Sequence, residues 1–217
     1  MFRFCLLLSF FVTTVASAQP FRIGIEGGLH AISLDYAHPR DEWSGAFRPA
    51  GSAMISAVVP VIQRFSVQTG LRYARLGNRI NFDYTLVTDD PSTEPIHDVG
   101  WFTYTQNYLS IPIRLRYDVL GPVYLFVGPE VGYLLSARTR LTSSYPENRV
   151  REQSITDEME RLNVSATAGL GSTFRLLGQD FYTQAMYGRG LTPVGKKGNF
   201  LSSWHTQELG LTLGFLF

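Results

Sequence analysis

The sequence predicts an all-β protein: an eight-stranded antiparallel up-and-down transmembrane β-barrel whose lumen is filled by side chains. Three observations predict this fold class. The C-terminal segment alternates between apolar and polar residues, seven earlier segments do the same, and the connections between them are alternately short and long. Alternation with a period of two indicates a strand, because successive side chains leave a strand on opposite faces.

The C-terminal segment, residues 204–217, has the clearest alternation. Leu209 and Leu211 share one set of alternate positions with Gln207, Leu213, Phe215 and Phe217, whereas Glu208 lies on the opposite face with threonines and glycines. One face is therefore apolar enough for lipid, and the other is polar. A segment of this kind that ends in Phe217 is typical of the closing strand of a bacterial outer-membrane barrel.

Eight segments alternate in this way, and each is long enough to cross a membrane as a tilted strand of about 9–11 residues. The predicted strands are 21–34, 47–59, 65–86, 102–119, 123–141, 162–176, 180–191 and 204–217. The connections at 60–64, 120–122 and 177–179 are short, whereas those at 35–46, 87–101, 142–161 and 192–203 are long and polar. Short turns on one side and long loops on the other are typical of outer-membrane barrels. An even strand count places both chain ends on the short-turn, periplasmic side.

The chain divides into a predicted signal peptide, residues 1–18, and one outer-membrane β-barrel domain, residues 19–217. Arg3 supplies the positive charge, residues 4–15 are largely apolar, and residues 16–18 read Ala-Ser-Ala, a small-residue cleavage pattern. A retained anchor helix is the alternative. The single cysteine, Cys5, lies in the signal peptide, so the mature domain has no disulfide.

The charge composition excludes several classes of protein. Without Arg3, 18 basic residues balance 18 acidic ones and form no basic run, so no nucleic-acid partner is predicted. Beyond the signal peptide no apolar run reaches 18 residues, which excludes helical membrane proteins but not barrels. The acidic stretches at 89–90 and 157–160 are interpreted as solvated loop charge; a Ca²⁺ site is the alternative.

Charged residues fall on the less apolar face of the predicted strands, and this decides which face is inside. A soluble ligand-binding barrel is apolar inside, whereas a membrane barrel is apolar outside, where charge would be costly. The predicted lumen charge network consists of Glu26, Arg72, Arg114, Arg116, Glu130, Arg175 and Glu208. An eight-stranded barrel is only wide enough for side chains to fill it, so no open pore is expected. The network is interpreted as structural, with a proton or ion relay as the alternative.

Several strand motifs resemble those of the PorT-like outer-membrane β-barrel family. YLSIPIRLRY at 108–117 resembles the family's tyrosine-leucine-x-isoleucine-proline strand, and VYLFVGPEVGYLL at 123–135 resembles its glycine-proline-x-x-glycine strand. AMYGRGLTPV at 185–194 resembles its arginine-tyrosine-x-x-glycine-leucine segment, although Met186 replaces the usual arginine. The closing strand at 209–217 also fits. Because these are strand-packing motifs, they indicate the family without indicating an activity.

The resemblance implies partners as well as a fold. Some relatives take part in protein secretion or in attachment to the cell surface. The C-terminal Phe215 and Phe217 resemble the signal by which the barrel-assembly machinery recognises its clients, which makes that machinery an implied transient partner beside outer-membrane lipid. Pro112 in the first of these motifs cannot donate to a strand ladder, so a β-bulge at 111–112 is predicted.

No catalytic, cofactor-binding or metal-binding residues are predicted. The favoured function is a non-enzymatic outer-membrane protein with a structural, adhesive or secretion-associated role through its long outer loops. One alternative is a small porin-like channel for water or small solutes. The other is a lipid-modifying hydrolase, in which His205, Ser202 or Ser203, and Asp35 would form the catalytic group.

Overall fold

The computed structural model describes residues 21–35, 43–86, 96–144, 150–198 and 204–217. The predicted signal peptide lies outside these residues. The strands are β1 Arg22–Asp35, β2 Trp43–Ile62, β3 Phe65–Leu86, β4 Ile96–Leu120, β5 Val123–Ser143, β6 Val150–Ser154, β7 Leu162–Leu176, β8 Gln179–Gly190 and β9 His205–Leu216. A single 3₁₀ turn at Thr156–Glu158 is the only helical element among the described residues, and none of these residues forms a helix long and apolar enough to cross a membrane.

Eight of these strands form a closed antiparallel ring. Each pairs with the next along the chain, β5 pairs with β7, and β9 pairs with β1 to close the barrel. The one remaining strand, β6, is outside the ring. It pairs with the end of β5, from Arg138↔Ser154 to Thr142↔Val150, where β5 has run past the end of β7. The predicted eight-stranded barrel is therefore confirmed.

The strands extend further into the long connections than predicted. β2 begins at Trp43, β4 begins at Ile96, and β5 continues to Ser143. The β3–β4 hairpin stays paired as far as Leu86↔Ile96. The added segment at the start of β4 has the exposed polar side chain of His97 on its outer side, so it lacks the apolar alternation by which the sequence marks a membrane strand.

Alternation turns the apolar positions outward and the polar ones into the lumen, as predicted. On β9, the side chains of Leu211 and Leu213 are exposed, with Leu211 at 62%, whereas Thr212 between them is only 5% exposed. The same holds on β5, where Leu125 and Val127 face outward. The outer surface of the barrel is thus a band of aliphatic side chains.

Glycines on the inner face give large rings room in a narrow barrel. A Cβ atom at Gly214 would lie 2.1 Å from Cζ of Tyr182, and one at Gly171 would lie 2.3 Å from Cζ of Tyr124. Only the absence of a side chain lets each ring lie across the neighbouring strand. The lumen near the short turns is consequently filled by aromatic rings and not by the residues opposite them.

The predicted bulge at 111–112 is wrong. The β3–β4 pairing is interrupted between Thr69↔Ile113 and Arg72↔Ser110, but the register is the same on both sides of the gap. The proline is accommodated by this interruption of the ladder, without an inserted residue. The nearest register shift on β4 lies between Asn107 and Tyr108, opposite β5.

An apolar cluster closes the barrel at its long-loop end. The outer connections supply Ile155, Met159, Val194 and Trp204, and the barrel wall supplies Ile80, Tyr104, Tyr108, Leu134 and Ala137. We call this cluster the cap. Backbone hydrogen bonds hold it together, from the amide of Ile155 to the carbonyl of Ala137 at 3.0 Å and from the amide of Val194 to the carbonyl of Trp204 at 2.9 Å.

Candidate functional site: the lumen

Below the cap, the lumen contains a group of charged and polar side chains from five strands. We call Glu26, His30, Arg72, Arg114, Glu130 and Glu208 the charged cluster. Each lies at an inward position of an alternating strand, which is why residues so distant in sequence meet. Arg114 is among the most completely buried large side chains of the described chain.

Arg72 lies at the centre of the charged cluster. Its Nη1 donates to Oε1 of Glu130 at 2.8 Å, and its Nη2 donates to Oε1 of Glu208. His30 Nδ1 lies 2.7 Å from that same Glu208 oxygen. The Ser110 hydroxyl also donates to Oε1 of Glu130, at 2.7 Å. One guanidinium therefore holds two buried carboxylates, each with a further hydrogen-bond donor.

Arg114 continues the charged cluster towards the short turns. Its Nη2 lies 3.7 Å from Oε2 of Glu130, and its Nη1 lies 3.9 Å from Oε1 of Glu26. Nη1 also donates to the side-chain oxygen of Gln184 at 3.1 Å. The Tyr182 hydroxyl donates to Oε2 of Glu26 at 2.7 Å. Contacts between polar groups thus run without a break from Tyr182 to His30.

Arg116 is inside the barrel, as predicted, but its guanidinium contacts an aromatic ring and not a carboxylate. Its guanidinium lies 3.6 Å from the centre of the Tyr124 ring, a cation–π contact, and it forms no ion pair with any described residue. It lines a vestibule of about 270 Å³ at the short-turn end, together with Asp118 and Leu216. With Arg116 included, the described residues place three arginines at and beside the three glutamates of the charged cluster.

Arg175 does not join the lumen residues. Its side chain is 71% exposed, and its Nε lies 2.8 Å from Asp180, which is also 3.2 Å from Arg22. The reason is its place on β7, next to the short turn at Leu177, where the strand has already left the lumen. Its assignment to the lumen is therefore corrected: it belongs to an exposed group of charges at the short-turn end.

Among the described residues, side chains occupy the lumen at the level of the charged cluster and again at the level of the cap. Between the charged cluster and the cap lies a cavity of about 30 Å³, lined by Arg72, Glu130, Glu208, Leu76 and Tyr108 among others. A buried water molecule needs at least about 10–15 Å³, so this cavity has room for one or two. The barrel is filled by side chains, as the sequence predicts.

A hydrogen-bonded trio that the sequence pattern does not single out lies at one end of the charged cluster. The Ser52 hydroxyl lies 2.6 Å from His30 Nε2, while His30 Nδ1 faces Glu208. Alternation could have placed Ser52 and His30 in the lumen, since both are inward positions on adjacent strands. It could not have shown that they meet, because that depends on the register Gly28↔Ser52.

Part of the hydrolase group suggested by the sequence lies outside the described residues. His205 begins β9, and its backbone pairs with that of Asp35, whose side chain is not described. Ser202 and Ser203 lie outside the described residues. Among the residues that are described, no group of three or more His, Cys, Asp or Glu side chains is arranged to hold a metal ion.

The two C-terminal phenylalanines lie at the short-turn end of the outer surface. The Phe215 ring lies 5.2 Å from that of Phe181 and 4.6 Å from that of Phe217, and Phe181 stacks on Phe174 at 5.8 Å. The Phe217 amide donates to the Ile23 carbonyl at 2.8 Å, which fixes the end of the chain to β1. These rings form an aromatic cluster at one edge of the aliphatic band.

Comparison with protein families identifies the barrel. The model of the outer membrane protein beta-barrel domain matches residues 17–195, which is most of the chain. The chain belongs to this family. It is therefore an outer-membrane β-barrel protein, and its aliphatic outer band faces lipid. No curated protein sequence matches it.

Solved structures of other outer-membrane β-barrels resemble this one. Neisserial surface protein A, NspA, is 11% identical with a TM-score of 0.50, and the match covers 92% of this chain and 100% of that chain. Ail, the attachment invasion locus protein of Yersinia pestis, is 13% identical with a TM-score of 0.44, and covers 92% and 100%. OprG from Pseudomonas aeruginosa is 10% identical with a TM-score of 0.38, and covers 91% and 95%. At this identity the likeness to NspA shows a shared barrel fold and nothing about activity.

Proposed function

We propose that this outer-membrane β-barrel is a non-enzymatic, non-conducting protein that acts through the surface at its long-loop end. The observation that carries the proposal is the double closure of the lumen. Arg72 and its partners fill one level of the lumen, and the cap fills another, with a cavity of about 30 Å³ between them. A solute would have to displace both layers to pass.

The cap also supports a role for the outer surface. The connections that supply Ile155, Met159 and Val194 are bound to one another, through the Met159↔Gly195 bridge and the hydrogen bond from the Glu160 amide to the Val194 carbonyl. They therefore present a defined surface. A defined surface outside the membrane suits binding to another macromolecule, in adhesion, envelope structure or a secretion assembly.

Among these roles, the resemblance to the PorT-like family favours secretion or surface attachment. Its motifs occupy structural positions in the barrel: Tyr108 belongs to the cap, Pro112 is buried, and Gly132 lies beside Tyr108. We further propose export through a cleaved signal peptide, both chain ends in the periplasm, and transient recognition of Phe215 and Phe217 by the barrel-assembly machinery.

Conductance measurements test the proposal against a channel. Purified protein reconstituted into planar lipid bilayers should give no steady current steps above those of protein-free bilayers. Steady single-channel conductance from the folded protein would overturn the non-conducting assignment and favour the porin-like alternative. Crosslinking in intact cells, followed by purification of the protein, would then identify the macromolecules that contact the long-loop end.

A second candidate function, lipid hydrolysis, is favoured by one observation. Ser52, His30 and Glu208 have the hydrogen-bond order of a serine–histidine–acid triad. Against it, the His30 side chain is fully buried and Glu208 is already bound by Arg72. We expect no labelling of Ser52 by a fluorophosphonate probe and an unchanged lipid profile after deletion of the protein. Labelling that disappears in Ser52→Ala would support the enzyme.

A further inference from the structure

The strand register assembles a basic surface that the sequence does not reveal as a run of charge. Five arginines on β2, β3 and β5 have exposed or partly exposed side chains beside one another; they are Arg48, Arg75, Arg79, Arg138 and Arg140. We call them the basic face. Arg79 and Arg140, for example, are both paired with Thr103 of the strand between them. One acid among the described residues, Glu152, pairs with this face, at 3.4 Å from Arg138.

The basic face begins where the aliphatic band ends. Arg75 lies ten residues along β3 from Phe65, at the short-turn end. For a strand that rises about 3.3 Å per residue and tilts by about 40°, this is a height of about 25 Å. The apolar band of such barrels is also about 25 Å tall. Arg75, two residues beyond the exposed Tyr73, is therefore level with lipid headgroups.

Arg48 and Arg75 line a groove of about 400 Å³ between β2 and β3, with Leu29 and Pro49 beside them. The groove exists because the β2–β3 register shifts between Phe47 and Gly51 and the strands separate there. The aliphatic part of Arg48 lies over Gly77, where a Cβ atom would be 3.3 Å from its Cδ. Within the described residues, neither arginine has an ion-pair partner.

An apolar depression of about 590 Å³ adjoins this groove and shares Leu29 and Pro49 with it. It runs across β1, β9, β8 and β7, where small side chains such as those of Ala168 and Ala185 leave the outer wall concave. Ala185 lies six residues from Gln179 at the short-turn end, a height of about 15 Å by the same geometry. The depression is thus at acyl-chain depth, below the two arginines.

We propose that this continuous surface binds a phosphorylated lipid in the leaflet at the long-loop end. The phosphate lies between Arg48 and Arg75, and an acyl chain lies along the depression that includes Ala185. Guanidinium groups match phosphate oxygens in charge and geometry, and they bind them more strongly away from bulk water. This inference goes beyond the proposed function, because it concerns the outer wall and not the lumen or the loops.

Lipid binding by the full-length protein in non-ionic detergent, measured by native mass spectrometry, tests the proposal. The probes are dioleoyl phosphatidate, dioleoylglycerol without phosphate, inorganic phosphate without chains, and dextran sulfate as a soluble polyanion. We expect phosphatidate to bind best. The double variant Arg48→Gln/Arg75→Gln should bind it about thirtyfold more weakly, as expected for two interfacial arginines.

Two further variants separate the headgroup from the chain. Arg64→Gln/Arg175→Gln removes two exposed arginines at the other end of the barrel and should leave phosphatidate binding unchanged. Ala185→Phe fills the depression and should weaken binding of phosphatidate but not of inorganic phosphate. Heat-dependent migration on gels verifies that each variant is folded.

Equal phosphatidate affinity of the native protein and Arg48→Gln/Arg75→Gln would overturn the proposal. So would phosphatidate binding no tighter than inorganic phosphate, or dextran sulfate binding in its place, since a soluble polyanion would then be the ligand. Conductance in planar bilayers would count against the closed lumen and would leave this result unaffected, so the two proposals fail separately.

Discussion

The charged cluster and the cap fill the same barrel at two levels, but they are built differently. Every member of the charged cluster lies on a ring strand, and Arg72 alone contacts two carboxylates there. The cap takes Ile155, Met159 and Val194 from the outer connections. The cluster closes the lumen as part of the wall, whereas the cap closes it by folding connections inward. Removing a residue should therefore affect the whole barrel in the first case and mainly its outer end in the second.

The largest effect is expected for Arg72→Ala. The change leaves the carboxylates of Glu130 and Glu208 buried without their principal partner. Removing one partner of a buried ion pair costs about 3–5 kcal/mol. Urea unfolding in lipid vesicles, followed by tryptophan fluorescence, measures the change in the free energy of unfolding.

Arg175→Ala is the matched control, because the pair of Arg175 with Asp180 is exposed at the short-turn end. Exposed ion pairs contribute little to stability, because solvent screens the charges. If both variants lost the same small amount of stability, the charged cluster would not be the element that holds the wall together.

The lipid-facing side of β9 gives the next largest effect. Leu211→Arg places a charge on the outer surface, whereas Thr212→Ser changes a buried lumen residue by one methyl group. An arginine facing lipid costs about 2–4 kcal/mol near the midplane. We expect much less folded Leu211→Arg than Thr212→Ser in membrane fractions. Equal amounts would contradict the assignment of the two faces.

A smaller and more local effect is expected for Met159→Ala in the cap. Met159 is fully buried, and such truncations cost about 2–5 kcal/mol in a core. We expect the lower end, about 2 kcal/mol, because a cap at the end of a barrel can relax. Limited proteolysis should cut the 155–161 connection faster, while the barrel stays intact and non-conducting. Conductance in this variant would mean that the cap, not the charged cluster, closes the lumen.

The difference between these two regions also explains what the sequence could predict. Strand alternation placed Glu26, Arg114 and Glu208 in the lumen, because a charge on a membrane strand is costly on the lipid side and favourable on the lumen side. Alternation failed for Arg175, since it does not say where a strand leaves the lumen. The cap residues Ile155 and Met159 have no periodicity, so only the path of the connections reveals them.

The other features could not be predicted, because they depend on the register between strands. The basic face depends on which residues of β3 and β5 are level with Arg48, and the groove depends on a register shift that alternation alone does not determine. The short turns were easier to predict from the sequence. The connection after β7 has Leu177 and Gly178 both at positive φ, as in the tight hairpins that a short glycine-containing turn predicts.

The smallest effect, for Ser52→Ala, sharpens the comparison because it touches the charged cluster without removing a charge. The variant loses one hydrogen bond to His30 and keeps the contact of His30 with Glu208. A single hydrogen bond contributes about 0.5–1.5 kcal/mol, so we expect a loss of about 1 kcal/mol in the same unfolding assay used for Arg72→Ala. His30→Ala should cost more, because it also removes a partner of the buried carboxylate. If Ser52→Ala were instead as damaging as Arg72→Ala, the stability of the cluster would depend on its hydrogen-bond network more than on its charge balance.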